Sequence, residues 1–384
     1  MPSDLSPRRM IDELVAFDTT SRDSNLDLIH YVRDFLSGHG VDSTVIHDDS
    51  GRKANLYATV GPERDGGVVL SGHTDVVPVD GQDWSSDPFQ VREADGRLYG
   101  RGTADMKCFS AIALALVPEM LARPLSAPLH FALSYDEEVG CLGVHSMIDH
   151  LKALPTRPKA AIVGEPTEMT VVNAHKGACA LTTRVHGLEA HSSATDKGLN
   201  SIFYAAELVG FLAELAEEMK ATVNERFDPP YTTVHVGTIQ GGTALNIIPK
   251  ETSLRWEIRT IPGQDAPALV ERFEHFAEYE VLPRMRERYP EARIETRMGA
   301  NVVPLVPQDG SDAEALVMAL AGTNSTYAVS YCTEAGIFQE AGVPTVICGP
   351  GNIREAHKPD EFIELSQIAA CEGFLRKLIA HLQA

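Results

Sequence analysis

At 384 residues, 43% of them hydrophobic and 23% charged, the chain has ordinary globular composition and enough length for two cores. A net charge of −21 excludes the basic surface that nonspecific binding to nucleic acid or to an anionic membrane requires, and no apolar run is long enough to span a bilayer. A small molecule is the expected partner, and a start without the apolar core of a signal peptide, MPSDLSPRRM, predicts a cytoplasmic protein.

In chain order, GGVVLSG (66–72), LHFALSY (129–135), KAAIVGE (159–165) and VPTVICGPG (343–351) are apolar throughout rather than alternating. Such runs suit strands covered on both faces by helices. MKCFSAIALALVPEML predicts a helix over 106–121, and SQIAACEGFLRKLIAHLQ predicts another that closes the chain.

The segment 179–297 reads differently. CALTTRVHG predicts a strand, residues 201–221 a helix, TTVHVGTIQGG and SLRWEIRTIPG two strands, residues 265–287 a helix, and ARIETRMG a last strand. That βαββαβ order is ferredoxin-like and builds an antiparallel sheet. Because α/β strands resume afterwards, the expected fold is a mixed-sheet α/β/α domain of residues 1–178 and 298–384, interrupted by an α+β unit at 179–297. The open edge of the inserted sheet suits pairing with a second copy of the chain. The six cysteines (108, 141, 179, 332, 348 and 371) are scattered without a CxxC pair and read as mostly buried thiols.

The apolar runs share one property: each leads into a metal-ligand type. GGVVLSG runs into His73 and Asp75, LHFALSY into Asp136, Glu137 and Glu138, KAAIVG into Glu165, and VPTVICGPG is followed by His357, while Asp105 precedes the helix at 106. Singly, an Asp before a helix is usually an N-cap and an acidic run a solvated face. Jointly, two imidazoles and several carboxylates at strand ends, where open α/β sheets bind ligands, form a donor set for Zn²⁺ or a similar divalent ion. No GxSxG or HExxH motif competes, and GPG at 349–351 is too short for a phosphate loop.

HTDVVPV, GRGTADMKCFSA, DEEVG, VGEPT, HKG and AHSS, with a late His after GPG, resemble the dimetal amidohydrolases and peptidases, in the order found in that family. The resemblance implies that His73, Asp105 and Glu165 hold one metal and that Asp105, Glu138 and His357 hold the second, with Asp105 bridging. It implies two ions, most simply Zn²⁺ with Co²⁺ as the alternative. Glu137 would be the general acid/base, Asp75 would orient the His73 imidazole, and His191 of the inserted unit would stabilise the oxyanion, in a homodimer from across the interface.

The resemblance further implies hydrolysis of an N-acyl amino acid. The VGEPT, AHSS and YCTEAGIF segments favour N²-acetylornithine, hence arginine biosynthesis, with succinyl-diaminopimelate or a broader range of N-acyl amino acids as alternatives. Asn246, Arg259 and Thr333 are the candidates for gripping the substrate carboxylate, since a guanidinium fork suits that partner. Glu334 is the candidate for facing the ornithine ammonium.

Overall fold

The computed structural model describes residues 6–384, and the chain divides into two compact units. The first comprises residues through Ala174, Leu305–Ala328 and Thr333–Ala384, and the second comprises His175–Pro304 with Val329–Cys332.

The first unit is built on an eight-stranded mixed sheet, in the order Ser43–His47, Ala54–Val60, Leu129–Ser134, Val68–His73, Ala160–Pro166, Thr345–Gly349, Val172–His175 and Tyr327–Val329. The four strands from Leu129–Ser134 to Thr345–Gly349 run parallel and are buried at every position, as their uninterrupted apolar runs require. Antiparallel neighbours flank them on both sides. The fold is therefore mixed α/β, as the sequence predicts.

The Pro7–Val15 helix begins with Ser6, whose hydroxyl accepts the Arg9 N–H, and Pro7 at a position that needs no donor. The helix expected over 106–121 is two: Lys107–Ala115, buried along its whole length, and Val117–Leu121. Pro118 has no N–H to continue the ladder, so the chain breaks at Leu116. One core gathers Met10, Leu14, Phe109, Leu114, Phe131, Phe374 and Leu378.

In the second unit a four-stranded antiparallel sheet has the order Thr233–Gly241, Glu251–Arg259, Ala178–His186 and Arg293–Val302. With the Ser201–Met219 helix and the helical run Ala266–Arg288, which contains a π-turn at Ala277–Val281, this is the ferredoxin-like βαββαβ arrangement. Leu181, Val185, Leu254, Trp256 and Ile258 alternate inward along their strands and meet Leu208, Leu212 and Phe273. Reciprocal bonds between Gly177 and Thr260 draw the segment just before Ala178 into this unit. No described helix is long and apolar enough to cross a membrane.

Candidate metal centre

The four parallel strands share a direction, so their carboxyl ends lie along one edge of the sheet. His73 ends one strand, Asp136 to Glu138 follow the next, Glu165 lies at the end of the third, and His357 follows the fourth. Asp105 enters from the turn before the Lys107–Ala115 helix. The sheet therefore converges residues that are up to 284 positions apart in the chain, from His73 to His357.

His73 Nε2 lies 3.0 Å from Asp105 Oδ1 and 3.7 Å from Glu165 Oε1. His357 Nε2 lies 3.2 Å from the other Asp105 oxygen, Oδ2, and 3.0 Å from Glu138 Oε2. Asp105 thus presents one oxygen to each imidazole. Donor atoms of His73, Asp105 and Glu138 fall within 4.8 Å of one another, and so do those of His73, Glu137 and Glu165.

Asp75 meets the His73 imidazole through its main chain. The Asp75 main-chain carbonyl, 2.9 Å from His73 Nδ1, accepts the imidazole N–H, while its carboxylate stands 3.6 Å away. That carboxylate instead accepts the backbone N–H of Glu137 and Glu138 and the Ser21 hydroxyl, the last at 2.6 Å. With Nδ1 engaged by that carbonyl, Nε2 is the ring nitrogen that faces the Asp105 and Glu165 oxygens.

The electrostatics describe a site in which negative groups outnumber positive ones. Burial, then the Asp105 charge, raise Glu138 to about 7 and hold Glu165 well above the ordinary carboxylate range. Burial, together with Glu138 and Glu334, also raises Glu137. Hydrogen bonds to Asp105 and Glu138 raise His357 to about 10. Among the described residues no Lys or Arg pairs with Asp105, Glu137, Glu138 or Glu165. Two imidazoles and four crowded carboxylates fit divalent cations of borderline softness, which would neutralise the repulsion.

Glu334 also belongs to the first unit. It is 1% exposed, receives a 3.4 Å hydrogen bond from Ser71 Oγ, and is raised to about 7 by burial. Thr333 is buried, and its hydroxyl accepts the Ala335 N–H. Three candidates lie in the second unit. Arg259 is bonded through Nε and Nη2 to Glu257 at 3.1 and 3.2 Å. Asn246 lies just before Ile247–Ile248, and its carbonyl accepts the Ser192 N–H. His191, which is exposed, receives the Ser193 N–H on Nδ1 at 3.2 Å, which places its own ring proton on Nε2.

Sequence reasoning missed Ser21, Lys53, Arg101 and Glu361. Lys53 Nζ lies 2.5 Å from Asp136 Oδ1, which gives the first of the three acids its own cation. Glu361 and Arg101 form a buried pair at 2.6 Å. Sequence separations of 83 and 260 residues leave no local signal for these pairings.

Comparison with known proteins shows the family. The model of peptidase family M20/M25/M40 matches residues 69–381, so the chain belongs to that family, and it is a metal-dependent amidohydrolase. It is 37% identical over 381 residues to an acetylornithine deacetylase of Myxococcus xanthus, covering 97% of each chain. It is 35% identical over 379 residues to an acetylornithine deacetylase of Pasteurella multocida, covering 97% of this chain and 96% of that one. Among solved structures, an M20 family metallo-carboxypeptidase from Sulfolobus solfataricus superposes with a TM-score of 0.76 at 16% identity, over 97% of this chain and 98% of that one. A Bacillus subtilis protein described as a dinuclear metal binding peptidase gives 0.64 at 15% identity, over 98% of each chain.

Proposed function

We propose that this chain hydrolyses the amide bond of N²-acetyl-L-ornithine to acetate and L-ornithine, a step that would serve arginine biosynthesis. The observation that carries the reading is the double donor cluster joined through Asp105, with Glu137 beside it. Identities of 35–37% over nearly the whole chain to acetylornithine deacetylases support the acetyl group over succinyl.

In this reading His73, Asp105 and Glu165 hold one cation and Asp105, Glu138 and His357 the other. Zinc is the first choice for such imidazole and carboxylate donors, with cobalt next. When bound, the two cations would polarise the amide carbonyl and make water acidic enough to lose a proton near neutral pH. Glu137 takes that proton as water attacks and delivers it to the departing amine. His191, its proton held on Nε2 by the Ser193 N–H, donates to the developing oxyanion.

Asn246, Thr333 and Arg259 are the proposed grip on the α-carboxylate, with Arg259 exchanging Glu257 for the substrate. Glu334 is the proposed partner of the ornithine ammonium, a buried carboxylate near enough to Glu137 to raise it. Residues 179–297 are the proposed lid and homodimerisation unit. The exposed edge strand Thr233–Gly241 and Phe203, 69% exposed on the adjoining helix, support that role. A cytoplasmic setting belongs to the same proposal and is supported by six cysteines outside any disulfide, five of them buried.

The test is a substrate panel of acetylornithine, succinyl-diaminopimelate and acetylmethionine with added Zn²⁺ or Co²⁺. Acetylornithine should be hydrolysed fastest, Glu137→Ala should abolish acetate release with two cations still bound, and Glu334→Gln should harm acetylornithine more than acetylmethionine. Preference for the succinyl substrate, or full activity of Glu137→Ala, would overturn the reading.

A further inference from the structure

Glu361 is completely buried, yet it touches none of the donor atoms of the metal centre. Its Oε1 accepts three backbone N–H groups from one loop: Gly102 at 3.0 Å, Ala104 at 2.8 Å and Asp105 at 3.1 Å. Its Oε2 accepts Arg101 Nη1 at 2.6 Å, and its main-chain carbonyl accepts the Gly100 N–H at 2.9 Å. One residue thus clasps the whole loop that carries the bridging carboxylate.

The same network reaches the other ligand loop. Arg101 Nη2 donates to Gln82 Oε1 at 2.7 Å, and Gln82 Nε2 donates to the His357 carbonyl at 3.0 Å. Trp84 lies under the Arg101 guanidinium at 5.1 Å and also donates to Gln82 Oε1, at 3.0 Å. The pairing of Phe362–Glu364 with Arg97–Tyr99 fixes the register of the two segments. His357 and Glu361 are four residues apart, so one short segment supplies an imidazole and anchors the loop of its bridging partner.

We infer that Glu361, with Arg101 and Gln82, is a positioning residue that sets the separation between Asp105 and His357 and thereby the affinity of the second cation compartment. The inference rests on the two-cation reading above. Its physical basis is the geometry of a single carboxylate meeting three N–H donors and a guanidinium. Glutamine in its place turns one acceptor into a donor, so either the N–H groups or Arg101 must move, and Asp105 moves with its loop. Removing the partners that orient metal ligands typically weakens metal binding about 10–100-fold.

The experiment titrates metal-free protein with Co²⁺, following heat and the visible cobalt spectrum, for wild type, Glu361→Gln and Gln82→Ala. Wild type should take up two cations. Glu361→Gln should bind the second about 10–100-fold more weakly, with an altered cobalt spectrum, whereas a purely structural role would lower Tm and leave both unchanged. Gln82→Ala leaves the buried carboxylate in place, so it decides the matter if Glu361→Gln does not fold. It should weaken the second cation at least about threefold, a loss smaller than the full 10–100-fold effect. Wild-type affinity and spectrum in the folded variants would overturn the inference alone. Fewer than two cations in wild type would overturn the two-cation reading and this inference with it.

Discussion

The carboxylate of Asp75 accepts the backbone N–H of Glu137 at 3.1 Å through Oδ1 and that of Glu138 at 3.3 Å through Oδ2. This relationship explains how three successive acids leave one strand without sharing one fate. Asp136 adopts a left-handed conformation, φ 56°, which Asp tolerates better than most residues, and turns toward Lys53. The next two residues are then pinned by Asp75 with their side chains at the donor cluster. Asp75→Asn keeps one acceptor oxygen and loses the other. It should lower kcat about 10–100-fold with a small change in Tm, and steady-state kinetics beside calorimetry would check it.

Cation removal should destabilise the protein because the crowded carboxylates lose their counter-charge. A ligand held a thousandfold above its Kd contributes about 4 kcal/mol. Chelation should therefore lower Tm by roughly 5–10 °C, with recovery on adding Zn²⁺. A scanning calorimetry trace unaffected by chelator and metal would contradict a cation-dependent centre.

Gly349 lies where the Thr345–Gly349 strand irregularly meets Ala160–Pro166, and a Cβ there would stand 1.9 Å from the Gly164 carbonyl oxygen. That obstacle is backbone and cannot rotate away. Gly349→Ala should cost about 2–3 kcal/mol, or roughly 2–4 °C in Tm, and should weaken cation binding because Glu165 adjoins the displaced peptide. Unchanged melting would show that the two strands separate freely here.

His130 lies within the sheet, its Nδ1 2.9 Å from Thr59 Oγ1 and its ring stacked on Tyr57 at 5.5 Å. Burial lowers it to about 4 from an ordinary 6.5, so the folded state holds it neutral while the unfolded chain takes a proton below 6.5. The unfolded state therefore binds more protons between pH 6.5 and 4. Stability is present above that window and falls through it, by at most about 3 kcal/mol. His130→Gln should flatten the dependence of Tm on pH between 6.5 and 4, and a slope equal to that of wild type would assign the effect elsewhere.

Subunit mixing tests the proposed dimer. His191→Ala and Glu137→Ala chains, each inactive alone, should together recover about a quarter of wild-type activity if His191 serves the partner's site, since half the dimers are mixed and each has one intact site. Verified heterodimers with no recovery would place His191 at the site of its own chain.

Much of the site was legible before folding, because the residue types that hold cations stand where buried strands end. His73, Asp105, Glu138, Glu165 and His357 could all be named from those positions and from the family motifs. The partners of those residues could not. Glu361 and Arg101 are 260 residues apart, Lys53 and Asp136 83 apart, and nothing in either neighbourhood marks the other. Which atom of Asp75 meets His73 was hidden for a related reason: its main-chain carbonyl and its carboxylate both lie near the imidazole, and only the fold decides which is 2.9 Å away.

The sequence by itself determined what is periodic or local: buried strands from uninterrupted apolar runs, the βαββαβ order of the inserted segment and the donor types. Only the tertiary structure decided that Asp105 offers one oxygen to each imidazole, that Asp75 holds the Glu137 and Glu138 backbone, and that Glu361 clasps the Asp105 loop. The physical reason is that secondary structure follows from side-chain spacing along one segment, whereas hydrogen bonds and charge pairs at a few ångströms depend on how distant segments pack.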